Sequence, residues 1–195
     1  MADADTVLSM PTAIFVAQCS EYIKGRVLDV GCGRKPYKRL FPQCEWVGVD
    51  IAPYGEIRTD AHTLEGIEDE SFDTVVCTEM LHECMSPVMV FQAMYRVLKP
   101  GGFLVLSAPN IYPEDTKSLW GFKVRVLDML TAQAGFKGVG LNADGRIWKQ
   151  EWSDFYQHNK YGYQVPPEME GWLADMDKRY PSISVLVARK EDSSE

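Results

Sequence analysis

Two short apolar runs ending in acids and glycines are the groups of this 195-residue sequence best suited to hold a ligand. Val27-Leu28-Asp29-Val30 runs into Gly31-Cys32-Gly33, and Val47-Gly48-Val49 ends at Asp50-Ile51, with Asp50 17 positions after Gly33. An apolar run breaking into a glycine pair is the pattern of a buried strand entering a tight turn, where missing Cβ atoms let a ligand lie against the backbone. In a doubly wound sheet, parallel neighbours bring both strand ends to one edge. The turn and Asp50 can then hold two parts of one nucleotide-like ligand, with a ribose diol on Asp50.

The elements that must position these groups alternate. A short helix from about Thr12 feeds the first strand, and Pro36 suits the first turn of a helix running to about Phe41, before Pro42. A strand at Trp46 to Asp50 follows, then a weak strand around Glu56 to Asp60 and a strand from Phe72 to Cys77. Met89, Val90, Ala93, Met94 and Val97 recur at helical spacing between Pro87 and Leu98, and Lys99-Pro100-Gly101-Gly102 stops that helix. Phe103 to Leu106 reads as a buried strand, Phe122 to Ala134 as a helix, and Val139 to Leu141 and Ile183 to Ala188 as the last two strands. Strands alternating with helices imply a parallel α/β sheet covered on both faces. The stretch 142–180 carries Trp148, Trp152, Phe155, Tyr156, Tyr161, Tyr163 and Trp172, and so long an insertion in a compact domain reads as a lid over an acceptor.

Four blocks, Val27 to Gly33, Val47 to Ile51, Ser71 to Glu79 and Arg96 to Ser107, resemble in order and spacing the class I S-adenosylmethionine-dependent methyltransferases, in particular the small type 11 group. The resemblance spans roughly residues 25 to 110 and implies an α/β fold: a Rossmann-like, doubly wound, seven-stranded, mostly parallel sheet with an antiparallel last strand, as one domain over 1–195. It also implies S-adenosyl-L-methionine as cofactor. Backbone N–H groups of Gly31, Cys32 and Gly33, with the following helix N-terminus, would meet the methionine carboxylate. Asp29 would position the turn and the ammonium, and Asp50 the ribose, with Ile51 on one adenine face. Asp60 would accept from the exocyclic amine and the Ala61 N–H would reach a ring nitrogen, while Thr78 and Glu79 would line the methionine and methyl end. The sequence departs from the family pattern in two places: Lys35 stands where a third glycine is common, and Leu81-His82-Glu83 reverses the usual order of acid and imidazole.

Methyl transfer to a hydroxyl needs a base, which makes His82 the first catalytic candidate and His158 the second. His62 reads as a loop residue. Cys32 reads as packing, since direct displacement needs no thiol. The His82-Glu83 pair lacks a second ligand at metal-binding spacing, so no metal is expected. The expected acceptor is an oxygen or nitrogen of a small molecule or sugar. Two rivals stand beside this reading. A nicotinamide-dependent oxidoreductase would need a third glycine or alanine where Pro36 stands. A methyltransferase-like binding or regulatory subunit would keep the cofactor acids without turnover.

Twenty basic against 28 acidic residues, a net charge of −8, disfavours nucleic acid as partner. The cluster Arg34, Lys35, Lys38 and Arg39 reads as a solvated helix face. Five cysteines without a C-x-x-C pair fit a reducing cytoplasm, and no apolar stretch is long enough to span a bilayer, so a cytoplasmic location away from the membrane is expected.

Overall fold

The computed structural model describes residues 10–35, 37–109, 118–138 and 183–191. They form one seven-stranded sheet in the order β3-β2-β1-β4-β5-β7-β6. The strands are β1 (Arg26–Val30), β2 (Glu45–Asp50), β3 (Ile57–Arg58), β4 (Phe72–Thr78), β5 (Leu98–Pro109), β6 (Phe136–Gly138) and β7 (Ile183–Lys190). β1 to β5 run parallel, whereas β7 lies antiparallel between β5 and β6. Helices α1 (Met10–Gln18), α2 (Pro87–Val97) and α3 (Val124–Ala134) accompany the sheet. Each strand's alternation feeds two cores. Leu28, Val30, Val75, Leu104 and Leu106 pack with Val90, Phe91 and Met94 of α2 and Leu127 of α3. Val27, Val76, Val105 and Val187 pack with Phe15 and Val16 of α1 and with Tyr37, Phe41 and Trp46. The fold is the α/β sheet expected above, covered on both faces.

Four elements differ from the expectation. Between Pro36 and Pro42 there is no α-helix, only a single 3-10 turn at Lys38–Leu40. The space between the two prolines is too short for the cooperative growth an α-helix needs, and burying Tyr37 and Phe41 holds the segment instead. The weak strand shrinks to Ile57–Arg58. β5 begins at Leu98, directly after α2, because the Lys99-Pro100-Gly101-Gly102 turn is absorbed as an irregularity of the β4–β5 ladder, with Gly101 at φ +76°. The strand after α3 occupies Phe136–Gly138, immediately past the left-handed cap at Gly135, while 139–141 lie outside the described residues. The aromatic insertion at 142–180 and His158 also lie outside them.

The order of the strands places a topological switch point between β1 and β4. The chain winds from β1 outward to β3, then returns to continue on the other side through β4 and β5. Ligands of such sheets bind outside the carboxyl ends of the strands at that point. The glycine turn after β1, Asp50 at the end of β2, and Thr78-Glu79 at the end of β4 all sit on that edge.

Candidate functional site

The turn after β1 is stitched to β2 by its own amides. The N–H groups of Gly31 and Cys32 both donate to the Val49 carbonyl, at 2.9 and 3.1 Å. The N–H of Gly33 donates to Asp50 Oδ2 at 2.9 Å, and that of Ala52 to Asp50 Oδ1 at 2.8 Å. This corrects the expected carboxylate cradle, since two of the three turn amides are spent on the sheet and no α-helix N-terminus follows. It favours the expected diol site, because each carboxylate oxygen has two lone pairs and each receives one N–H, leaving one per oxygen for a hydroxyl. The two glycines differ. A Cβ on Gly31 would lie 2.2 Å from Cγ of Met80, whereas one on Gly33 would meet nothing within 4 Å. The open approach to the backbone is therefore at Gly33, and Gly31 is needed because the turn after β1 touches the turn after β4.

Asp29, 1 % exposed, accepts from Trp46 Nε1 at 3.0 Å. Burial pushes its carboxyl up to about 7, against the pull of the indole bond. Glu79 follows β4 at φ +52°, a left-handed backbone that non-glycine residues seldom adopt and that recurs at binding sites. Ser107 Oγ donates to its Oε1 at 2.7 Å, and burial raises this carboxyl to about 7 despite hydrogen bonds from Ser107 and Thr12. The Tyr37 hydroxyl is hydrogen-bonded with the side chains of Thr78 and Thr12, and burial pushes its pKa up. Thr78, Tyr37, Thr12, Glu79 and Ser107 thus form one polar chain drawn from α1, β4, β5 and the turn after β1. Sequence reasoning missed Thr12, Tyr37, Trp46 and Ser107. Nothing in their local spacing marks them, since each becomes part of the site only through a partner distant in sequence.

The third region lies beside β2 and β3. Ile51 is 69 % exposed at the end of β2. Arg58 Nε donates to the Ile51 carbonyl and the Thr59 N–H to that of Asp50, which brings Asp60 and Ala61 alongside. An apolar side chain left open next to the Asp50 carboxylate suits one face of a flat ligand. Asp60 Oδ1 accepts from the His62 N–H at 2.9 Å and lies 2.6 Å from His62 Nδ1. His62 lies in the turn after β3, as its loop reading expected, and is hydrogen-bonded to the candidate acid Asp60.

His82 lies in the 3-10 turn Leu81–Glu83 with its ring buried, and Nε2 is 3.8 Å from Glu83 Oε1. Burial lowers its pKa below the usual imidazole value, opposed by the Glu83 charge. Its carbonyl accepts from the N–H groups of Leu119 and Trp120, so the segment entering α3 closes over this turn. Cys32 is buried against Gly48, and burial drives its thiol up to about 12, the condition of an inert packing residue. The expected solvated basic face is partly neutralised, as Lys35 Nζ lies 2.5 Å and Lys38 Nζ 3.9 Å from Glu56 Oε1. Among the described residues, no helix is long and apolar enough to cross a membrane.

Residues 28–106 match the family model described as a methyltransferase domain. A ubiquinone biosynthesis O-methyltransferase of Xanthomonas euvesicatoria pv. vesicatoria is 35 % identical over 119 residues, 51 % of this chain and 49 % of the relative. The chain thus spans about half the length of that curated relative. Among solved structures, a putative methyltransferase from Bacillus halodurans superposes with a TM-score of 0.60 at 21 % identity, covering 94 % of this chain and 99 % of that one. The cyclase SpnF superposes with a TM-score of 0.62 at 22 % identity, over 93 % of this chain and 80 % of its own. At these identities the structural likeness speaks for the fold alone.

Proposed function

We propose that the protein, whose residues 28–106 match a family model described as a methyltransferase domain, transfers a methyl group from S-adenosylmethionine to a small acceptor, with oxygen the favoured acceptor atom. The observation that carries the reading is the Asp50 carboxylate. Two backbone amides hold it in place, each oxygen keeps a lone pair, and it stands beside the open face of Gly33 at the switch point. A diol is the group that such a pair of acceptors takes. The preference for oxygen draws on the O-methyltransferase named among the relatives.

Other side chains around the turn suit the ammonium, sulfonium and adenine of the cofactor. Asp29 and Glu79 are carboxyls raised by burial, and a positive ammonium or sulfonium beside them would return them to the ionised state. Ile51 would cover an adenine face, and Asp60 and Ala61 its polar edge. When bound, S-adenosylmethionine supplies a methyl group already activated by its sulfonium. The protein's part is alignment and exclusion of water. Thr78 and Glu79 would set the methyl end, steadied by Tyr37, Thr12 and Ser107. His82, kept neutral by burial, has an imidazole nitrogen in the state that takes the acceptor's proton.

Because the same fold also serves the cyclase SpnF, fold alone does not decide between methyl transfer and another use of the site. The test has two stages. Calorimetry should show binding of S-adenosylhomocysteine with no comparable binding of NAD. Radiolabelled methyl transfer should then appear with a panel of hydroxylated aromatic and sugar acceptors and fall on His82→Gln. Tight NAD binding without S-adenosylhomocysteine binding would sink the family-based function, and cofactor binding without transfer to any acceptor would favour a binding subunit.

A further inference from the structure

We propose that His62 is a positioning residue for base specificity: it locks the Asp60 carboxylate so that the site accepts a 6-amino purine and rejects a 6-oxo purine. The proposal rests on the reading of Asp60 as the acceptor for the adenine amine. Three contacts carry it. The His62 N–H donates to Asp60 Oδ1 at 2.9 Å, His62 Nδ1 lies 2.6 Å from the same oxygen, and His62 Nε2 lies 3.1 Å from the backbone N of Ser86. A backbone N–H can only donate, so Nε2 presents its lone pair. The neutral ring then carries its hydrogen on Nδ1, where it donates to the carboxylate. One tautomer satisfies both contacts at once.

The consequence is a carboxylate with one oxygen tied down and one turned outward. The His62 N–H, and after it the imidazole bond, hold the Asp60 carboxyl below the usual carboxylate range, so it stays ionised and accepts only. Both bonds to the carboxylate use Oδ1, and no group among the described residues bonds Oδ2. The mount is rigid because Ser86 precedes the first residue of α2, while Arg96, near the end of α2, donates to the carbonyls of Thr63, Leu64 and Ile67. The loop is therefore fastened to α2 on both sides of the helix's length. An exocyclic amine donates to Oδ2, whereas a 6-oxo group opposes lone pair to lone pair.

The experiment compares S-adenosyl-L-homocysteine with S-inosyl-L-homocysteine by calorimetry. The full chain should favour the adenosyl compound at least about tenfold, the scale of one hydrogen bond to a charged group. His62→Asn places an amide nitrogen where Nδ1 was and should keep that ratio within about threefold, while losing the link to Ser86. His62→Gln reaches the Nε2 position but not Nδ1, and with His62→Ala it should reduce the ratio by about fivefold or more. A merely structural histidine would weaken both compounds equally and leave the ratio unchanged in all three variants, and that result would overturn the proposal. The Asn and Gln variants alone decide the matter if His62→Ala does not fold. Asp60→Asn separates the layers: no change in ratio there removes the reading of Asp60, whereas a change there with none in His62→Gln removes only the role of His62.

Discussion

The two glycines of the turn should respond differently to the same added methyl group. Both have positive φ, +69° at Gly31 and +47° at Gly33, so alanine at either position incurs about 1–2 kcal/mol for a left-handed backbone. At Gly33 nothing else is met. At Gly31 the new Cβ falls 2.2 Å from Met80 Cγ and 2.7 Å from Met80 Cβ, far inside contact distance. Met80 packs against the main core, so moving it adds an overpacking cost of about 1–3 kcal/mol. Urea denaturation of the free protein should therefore rank Gly31→Ala roughly 1–3 kcal/mol below Gly33→Ala. Met80→Ala combined with Gly31→Ala should show favourable coupling of about 1 kcal/mol, because the shortest contact disappears while the Cβ contact remains. Binding should rank the other way relative to stability. Gly33→Ala, whose methyl enters the open space beside Asp50, should weaken S-adenosylhomocysteine by about tenfold, or roughly 1.4 kcal/mol, while leaving a folded protein. Equal destabilisation by the two alanines, or strict additivity with Met80→Ala, would refute the contact between the two turns.

Asp50→Ala should weaken S-adenosylhomocysteine by about 1.5–3 kcal/mol in calorimetry, and Asp50→Asn by less, because one oxygen acceptor survives. Cys32→Ala should leave cofactor affinity and any transferase activity near normal, with a stability loss of about 1 kcal/mol measured by urea melting. Asp29 makes stability fall as pH rises: its carboxyl is protonated up to about 7 when folded and only to near 3.8 when unfolded, so the native state binds more protons between those values. The effect approaches about 4 kcal/mol at its upper limit, Glu79 acts in the same direction and His82 in the opposite one. Asp29→Asn should flatten the wild-type decline between about pH 4 and 7 in urea melts, and an unchanged slope would count against a buried protonated acid.

What was legible in the sequence was what is contiguous in the chain. The glycine turn, the acid closing β2 and the Val-Leu-Lys-Pro-Gly-Gly block each announce themselves within a few residues, and their order fixes the sheet. The helix expected after Pro36 failed because local rules see a good first residue and not the short distance to Pro42 or the burial of Tyr37. The polar chain through Thr12, Tyr37 and Glu79, like the bond from Trp46 to Asp29, joins residues whose own neighbours say nothing of their partners. Lys35 shows how the two kinds of information meet. As a sequence letter it is a departure from a glycine pattern, yet its φ is +53°, the backbone a glycine would supply, and its N–H donates to the Cys32 carbonyl at 2.8 Å to close the turn. The strain of that backbone is about 1–2 kcal/mol, and the side chain offsets part of it by reaching Glu56, whose other oxygen accepts from the Gly48 N–H at 2.6 Å. The conformation, not the glycine, is what the site requires, and the chain meets that requirement with a lysine whose partner lies 21 residues away.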